Sequence, residues 1–528
     1  MEIKENPFTK NMPENDETYT AAELRERLFA LDKRLIEAAN RLATTIHALP
    51  HDPKYPDIEP RALIMGGFAR DTVLGLHPKD IDMEVYGVSP ERLESLLVQL
   101  FPERVNLVGR AFGILKVNVG EDVEFDVSIP RRESKIGKGH TGFAVTGDPG
   151  MDLTEAAQRR DFTMNSIAAD PLTGEFIDLF DGLKDIKDGI LRVTDKERFQ
   201  DDPLRVYRAV QFVARLGLKV DAASLKLMRQ MVARGDMDEL SPERVLEELK
   251  KLLLKAERPS NGLELMRELG LIEKYYPELQ ALIGLPQEKE WHPEGDAWKH
   301  TLLVVDQAAQ LMRKPENGFT ADEKLMLMTG ALCHDLGKPA VTKEIDGRIR
   351  SLGHEEAGEE PARNMCERWL FPHDITKAAV AITTQHLKPG AFYRALEKGE
   401  LKEPGYANAV RKLLKAIYPL SWRVLLAACE ADWRGSVLPG TERDTYKPAE
   451  KFAEVVAKFK LDMEPTKPLV QGRDLLALGL KPGPQMGKII VQIEELRDAG
   501  KISTREQALS KAHEIVEGIK TVSASSAV

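Results

Sequence analysis

Cysteine is scarce in this sequence: three residues, Cys333, Cys366 and Cys429, are spread over 528 positions. Thiols so few and so scattered exclude a disulfide framework and a cysteine-rich zinc finger. Low cysteine usage without disulfides is typical of proteins in a reducing compartment. We therefore expect a cytoplasmic protein.

Long hydrophobic runs are also missing, and the first residues contain no apolar signal-peptide core. These absences predict that the protein does not associate with a membrane through a spanning helix. Positive charge is not in excess either, because 75 basic and 85 acidic side chains give a net charge of −10. This balance excludes a protein coated with nucleic acid but permits a local basic groove.

The chain is too long for a single hydrophobic core, so we expect three or four domains. The residue patterns predict an α/β head followed by helical segments, because strand patterns fade after about residue 180. The predicted segments are an N-terminal helical leader at 1–55, the head at 56–180, a helical neck and body at 181–285, a second helical block at 290–440 and a small helical tail at 465–528.

A glycine turn between an apolar run and a helical pattern is the most informative feature of the head. In Met65-Gly-Gly-Phe-Ala-Arg-Asp71, two residues without Cβ atoms let the backbone approach a phosphate, and the following helix N-terminus favours an anion. Nine residues later, Asp80 and Asp82 are two apart in a strand pattern. Their carboxylates therefore face one side and can bind a hard cation. Together these features predict a nucleotide and magnesium site.

A third acid and two basic stretches follow in the head. Asp126 is a candidate to help activate an attacking hydroxyl, although a solvent-facing strand acid fits as well. The basic, glycine-rich stretch at 131–140 indicates either a loop beside a phosphate substrate or a plain surface loop. Arg159 and Arg160 can bind a triphosphate, or they form a surface salt-bridge cluster.

The stretch Asp201-Asp-Pro-Leu-Arg-Val-Tyr-Arg208 predicts the start of a helix, with proline in its first turn. Residues three apart share a helix face, so Asp202, Arg205 and Arg208 are expected to form one row. An acceptor beside a planar donor fork matches the Watson–Crick edge of a base. The alternative is a surface ion pair that contributes little.

These motifs, with Asp181-Gly182 and Glu243 to Glu248, resemble in order those of bacterial-type (class II) tRNA nucleotidyltransferases and poly(A) polymerases. The resemblance covers residues 60–285 and implies a polymerase-β-like mixed sheet in the head. It implies magnesium ions on Asp80 and Asp82, and base recognition by Asp202 and Arg205 assisted by Arg208. It also implies nucleotide contacts from Gly67, Arg70 and Arg160. Two positions depart from the family pattern: Gln211, where an arginine is common, and Asp201, where glutamate is usual.

The second helical block contains histidines and aspartates with the spacing of metal ligands. His334 and Asp335 interrupt an apolar helix, and burying two adjacent polar groups without a partner would be costly, which favours a metal. The block resembles the HD phosphohydrolase superfamily. That resemblance implies a phosphatase or phosphodiesterase with one or two divalent ions. The predicted ligands are His300, His334, Asp335, His354, His386 and Asp432.

The two resemblances imply an enzyme that adds CCA to tRNA 3′ ends from CTP and ATP without a nucleic-acid template, and that carries an HD phosphohydrolase domain. Within the same class, poly(A) polymerase and a partial enzyme that adds only CC or only A stay open. A different class is an HD phosphohydrolase whose head merely binds nucleotide. The sequence leaves open the oligomeric state, the HD metal and its substrate.

Overall fold

The computed structural model describes residues 19–78, 80–106, 114–120, 123–135, 143–436, 445–461, 469–480, 483–498, 501–502 and 504–525. The chain forms two compact units. The first comprises residues 1–402 and 416–450, and the second comprises residues 403–415 and 451–528. Among the described residues, no helix has both the length and the apolar character needed to cross a bilayer.

The first unit begins with two helices, α1 (Ala21–Phe29) and α2 (Lys33–His47). Asp32 caps the N-terminus of α2 by accepting a hydrogen bond from the backbone N–H of Arg34. Apolar residues recur along one face of α2 and are buried in the same core as the head sheet. The predicted leader therefore shares the core of the head, and the predicted domain boundaries themselves stay a prediction.

The head contains a seven-stranded mixed sheet with the strand order β3-β4-β5-β2-β1-β8-β9. Strands β2 and β5 are parallel, and the other neighbouring strands are antiparallel. Its elements are β1 (Arg61–Met65), α3 (Gly67–Val73), β2 (Ile81–Tyr86), α4 (Pro90–Leu100), β3 (Val105–Asn106), β4 (Ile114–Gly120), β5 (Val123–Ser128), β6 (Arg131–Lys135), β7 (Phe143–Gly147), α5 (Leu153–Gln158), β8 (Ala168–Ala169) and β9 (Phe176–Ile177).

The sequence predicted a loop at 131–140, but the basic stretch there is not wholly a loop. Its first part is strand β6, which pairs with β7 in an antiparallel hairpin. Backbone pairing with β7 overrides the loop-like composition of these residues. Residues 136–142 lie outside the described residues.

Helices dominate after the head. Helix α8 packs against both α10 and α11, and Gly262 lets the backbones of α8 and α11 approach closely. The elements of this region are α6 (Gly182–Lys187), β10 (Ile190–Leu191), α7 (Lys196–Phe199), α8 (Leu204–Leu216), β11 (Lys219–Val220), α9 (Ala222–Arg234), α10 (Pro242–Lys255), α11 (Pro259–Glu268), α12 (Leu271–Tyr275) and α13 (Pro277–Gln280).

The second helical block packs directly on this body within the first unit. The rings of Tyr276 and Trp369 stack with centroids 4.5 Å apart, and Ser260 donates a 2.7 Å hydrogen bond to buried Asp306. The elements are α14 (Ala297–Leu311), α15 (Ala321–Cys333), α16 (Lys338–Val341), β12 (Lys343–Ile345), β13 (Arg348–Arg350), α17 (His354–Ala357), α18 (Glu359–Arg368), α19 (His373–Gln385), α20 (Lys388–Glu397), α21 (Glu403–Ile417) and α22 (Trp422–Gly435).

The second unit contains most of α21 and, after it, the C-terminal helices. Residues 403–415, which the sequence had placed in the second helical block, cluster with this unit. A small core that includes Leu475, Ile493 and Ala512 joins its last helices. The helices are α23 (Lys447–Lys458), of which residues 451–458 belong to this unit, α24 (Gly472–Ala477), α25 (Pro484–Asp498) and α26 (Arg505–Ser525).

Replacing Gly262 by alanine is expected to destabilise the first unit. A Cβ atom there would lie 2.5 Å from Leu252 Cδ1 and 2.9 Å from the Val210 carbonyl oxygen. Overpacking of this kind costs about 1–3 kcal/mol, measurable in urea denaturation followed by tryptophan fluorescence. Gly390→Ala is the matched control, because its Cβ would meet nothing closer than 3.4 Å. Equal effects of the two substitutions would contradict this account of the α8–α11 crossing.

Candidate active sites

Three carboxylates converge on β2 and β5, two neighbouring interior strands of the head sheet. Asp82 on β2 lies opposite Asp126 on the parallel strand β5, and Asp80 directly precedes β2. Loss of surrounding water raises the pKa of Asp82; Arg160 opposes this, and the charges of Asp126, Asp80 and Glu84 add to it. Like charges held together in this way favour a divalent cation, and oxygen ligands of this type suit magnesium.

The glycine turn lies beside these carboxylates, because Met65 pairs with Asp82 across β1 and β2. Gly66 has a φ of +66°, which favours glycine. A Cβ atom on Gly66 would lie 3.0 Å from Arg160 Nη1, so the arginine packs against the turn. Arg160 also forms a 2.9 Å ion pair with Glu84. The structure thus brings the turn, Arg160 and Asp82 together, while Gly67 begins α3.

Arg70 was predicted to contact the nucleotide, but its side chain is buried. Its guanidinium donates to Asp71 at 2.7 Å and to the Asn165 side-chain oxygen at 2.8 Å, and it lies over the ring of Phe212. Arg70 is not among the residues that line the neighbouring pocket. In this structure it supports the turn from inside, and its nucleotide contact stays a prediction.

A polar pocket opens over the carboxylates and contains charges of both signs. Its acidic side is formed by Asp82, Glu84 and Asp126. A triphosphate with bound cations requires this combination of carboxylates for the metal and guanidinium groups for the phosphates. The arginines that line it are Arg131, Arg159, Arg160, Arg198, Arg205 and Arg208.

Asp202, Arg205 and Arg208 were predicted to form one row on a helix face, but only the two arginines lie on the helix. Helix α8 begins at Leu204, so Asp202 lies before it and accepts a hydrogen bond from the Leu204 backbone N–H. Its other carboxylate oxygen accepts a 2.9 Å bond from Arg244. Arg205 and Arg208 line the pocket together with Asp201, whereas Asp202 does not.

Three hydrogen bonds hold the arginines of α8 in place. Arg205 donates to the backbone carbonyls of Arg198 and Arg159 at 2.7 and 2.8 Å. Arg208 donates to Asp161 at 2.7 Å. Burial raises the pKa of Asp161, but Arg208 and a hydrogen bond from Asn165 outweigh this effect, and the pKa of Asp161 is lowered. Asp161 therefore remains an anion that orients Arg208.

Sequence reasoning missed several residues of this pocket. Glu84 could have been found, because it follows Asp80 and Asp82 at the same strand period. Arg198 and Asp201 reach the pocket only through the tertiary fold. Gln211, a departure from the family pattern, is buried and accepts a 3.0 Å hydrogen bond from Arg215. In this structure, Gln211 therefore has an internal packing partner.

The six predicted ligands of the second helical block come together although they span 132 positions of sequence. His300 Nε2 lies 3.0 Å from Asp432 Oδ1 and 3.8 Å from Asp335 Oδ2. Across the site, His354 Nε2 lies 3.4 Å from Asp335 Oδ1 and 3.4 Å from His386 Nε2. Two groups with metal-ligand spacing share Asp335: His300, His334 and Asp335, and Asp335, His354 and His386.

The donor set fits a divalent metal. The buried Nε2 of His334 has no hydrogen-bond partner of good geometry among the described residues, and its near neighbour Asp335 Oδ2 is 3.2 Å away. Burial lowers the pKa of His386 to about 4, which keeps its imidazole neutral and able to ligate. Imidazole nitrogens with carboxylate oxygens suit several first-row transition metals. Lys338, whose Nζ lies 2.6 Å from Asp335 Oδ2, supplies a positive charge beside the site.

Hydrogen bonds outside the ligand set orient the histidines. The Nδ1 atoms of His334, His354 and His386 lie within 2.9 Å of backbone carbonyl oxygens, which leaves each Nε2 facing the centre. The Nδ1 atom of His300 instead hydrogen-bonds to the carboxylate of Glu294. Burial lowers the pKa of His300, but its bonds to Asp432 and Glu294 outweigh this and raise it to about 9. The sequence analysis had not assigned Glu294.

Sequence profiles of known families match three parts of the chain. The poly A polymerase head domain matches residues 62–192, and a probable RNA- and SrmB-binding site of polymerase A matches residues 217–283. The HD domain matches residues 297–412. These matches confirm the two predicted family resemblances and their order along the chain.

Solved structures with this fold include CCA-adding enzymes. The enzyme of Bacillus stearothermophilus in complex with CTP has a TM-score of 0.58 and 20% identity, covering 94% of this chain and 99% of that one. The Thermotoga maritima enzyme complexed with tRNA_CCA has a TM-score of 0.52 and 17% identity, covering 93% and 97%. Identities this low show the fold alone. The predicted fold class, a mixed-sheet head followed by helices, is confirmed.

Curated relatives are more similar in sequence. The multifunctional CCA protein of Stenotrophomonas maltophilia (strain K279a) is 34% identical over 433 residues, which is 81% of this chain and 97% of the relative. That of Laribacter hongkongensis (strain HLHK9) is 34% identical over 394 residues, covering 73% and 87%. The chain therefore belongs to the multifunctional CCA protein family of CCA-adding tRNA nucleotidyltransferases.

Proposed function

We propose that this protein completes tRNA 3′ ends by adding C, C and A from CTP and ATP, and that its HD segment hydrolyses phosphate esters. The observation that supports the first activity is one pocket that is lined both by the acids Asp82 and Asp126 and by a set of arginines. Family membership supports CCA as the product over a poly(A) tail or a partial addition.

In the proposed head reaction, the terminal 3′ hydroxyl of the tRNA attacks the α-phosphate of the incoming nucleotide. The bond from the α-phosphorus to the oxygen that bridges to the β-phosphate breaks, and pyrophosphate leaves. Asp80 and Asp82 would hold magnesium, which when bound neutralises the triphosphate and favours loss of the hydroxyl proton. Asp126 lies opposite Asp82 and can accept that proton or share the metal. Its carboxylate also forms a 3.2 Å ion pair with Lys116.

Arg160 is proposed to bind the triphosphate, because its guanidinium lies between the glycine turn and the carboxylates. Arg205 and Arg208 line the same pocket at the start of α8, where they can meet the base. Asp202 is proposed to join them as the acceptor of the base edge. Its ion pair with Arg244 sets the direction of its carboxylate.

In the HD segment, His300, His334, Asp335 and Asp432 would hold one divalent ion, and Asp335, His354 and His386 would hold a second. Such ions polarise a phosphate and supply a nucleophile from water. Lys338 Nζ also bonds to Gln287 at 2.7 Å, which holds its positive charge at the site. The proposed substrates are phosphate esters at nucleotide or RNA ends.

The reaction product distinguishes the alternative functions proposed for the head. A tRNA transcript without CCA, supplied with magnesium and with CTP, ATP or both, is expected to gain CC with CTP alone and CCA with both nucleotides. Products are read at nucleotide resolution on a sequencing gel. Long A tails with ATP alone would contradict CCA addition and favour poly(A) polymerase. Phosphate release without any addition would favour an HD phosphohydrolase with a nucleotide-binding head.

The two activities are expected to be separable by mutation. Asp80→Ala removes a proposed magnesium ligand and should abolish addition while sparing phosphatase activity, which is measured by phosphate release from p-nitrophenyl phosphate with added divalent metal. His334→Ala should do the reverse. Circular dichroism shows whether each variant is folded. Loss of both activities from either change in a folded protein would contradict two independent sites.

The orientation of Asp202 is expected to depend on Arg244. Arg244→Gln removes the charged partner at 2.9 Å, and a hydrogen bond to a charged group is worth about 1.5–3 kcal/mol. We expect the KM for CTP and ATP to rise by about tenfold or more, measured in single-nucleotide addition. Arg267→Gln is the control, because it removes a 2.7 Å ion pair on the surface of α11. An unchanged KM in Arg244→Gln would remove Asp202 from the proposed base contact.

A further inference from the structure

The four histidines of the HD site are not held in the same way. For His334, His354 and His386, the hydrogen-bond acceptor near Nδ1 is the backbone carbonyl three residues earlier. Such a carbonyl is part of the local helix or turn, and no side-chain substitution removes it. The Nδ1 of His300 lies 2.9 Å from Glu294 Oε1. The Nδ1 side of His300 is therefore held by a side chain and not by the backbone.

Glu294 is built into the site from outside the HD helices. It lies in the segment that connects α13 to α14, and its side chain is only 3% exposed. Its Oε1 atom accepts from both His300 Nδ1 at 2.9 Å and His292 Nδ1 at 2.8 Å. Asp296, two residues later, accepts hydrogen bonds from the backbone N–H groups of Lys299 in α14 and of Gly284, which follows α13.

We propose that Glu294 is a positioning residue that aims His300 Nε2 at the metal ion shared with His334, Asp335 and Asp432. The inference rests on the proposed metal site of the HD segment. A carboxylate that accepts the Nδ1 proton selects the tautomer with a free Nε2 lone pair and makes that nitrogen a stronger donor. No contact of Glu294 with the metal itself is required.

The arrangement predicts an asymmetry between the two ligand groups that share Asp335. His300 belongs to the first group and not to the second, which contains His354 and His386. Those two histidines keep their backbone acceptors when Glu294 is changed. Loss of the carboxylate should therefore weaken the binding of one metal ion and leave the binding of the other unchanged. A general loss of folding would weaken both.

Metal binding to the full-length protein tests this inference without any turnover. Ni²⁺ is the probe because it accepts imidazole ligands, and all variants carry Asp80→Ala and Asp82→Ala so that head carboxylates do not contribute. Isothermal titration should show two equivalents in this parent. Glu294→Ala should lower the Ni²⁺ affinity of one equivalent by about 10- to 100-fold. Glu294→Gln should recover part of the affinity, because its amide oxygen can still accept from Nδ1.

Asp296→Asn is the matched control: it alters a carboxylate of the same segment that caps α14 and should leave both equivalents unchanged. Glu294→Ala with both equivalents at parental affinity would overturn the inference while leaving the proposed HD function intact. If both Ni²⁺ equivalents bind equally more weakly, or if Asp296→Asn shows a similar loss, Glu294 has only a structural role. Either result would also overturn the inference. A parent that binds fewer than two Ni²⁺ would overturn the two-ion site itself, and this inference with it.

Discussion

The parallel pairing of β2 with β5 brings Asp82 and Asp126 into adjacent register, and the chemistry of the head depends on this contact. Two carboxylates on neighbouring strands repel each other, and the raised pKa of Asp82, due first to loss of water and then in part to Asp126, is one result. A divalent cation would relieve that repulsion, so the pairing favours a metal beside these two strands. Arg160 offsets part of the charge from the side of the glycine turn.

A buried polar chain connects the turn to the helix that carries the pocket arginines. Arg70 donates to Asn165, Asn165 donates to Asp161, and Asp161 accepts from Arg208. The guanidinium groups of Arg70 and Arg208 lie 5.0 and 5.6 Å from the ring centroid of Phe212. Charged groups that are held by a network of hydrogen bonds in a largely buried site resist reorientation. The motifs that are far apart in sequence thus act as one rigid support.

The HD helices share an interface with the body and are not joined to it by a linker alone. Tyr207, between Arg205 and Arg208 on α8, makes an edge contact with Trp369, and Trp369 stacks on Tyr276. The connecting segment also supplies Gln287 to Lys338 and Glu294 to His300. The connecting segment therefore helps to build the HD site, although the reactions proposed for the two sites are separate.

The sequence by itself determined the residue types of both sites, because strand period, glycine turns and ligand spacing are local properties. It could not determine which side chains enter each pocket. Asp202 lies before the helix because α8 begins only at Leu204, and helix starts depend on capping and packing. Likewise, Arg70 is buried by contacts with residues far along the chain. Glu294 became visible only when folding placed His300 beside it. Tertiary structure decided these points because side-chain hydrogen bonds, between near or distant segments, leave no period in the sequence.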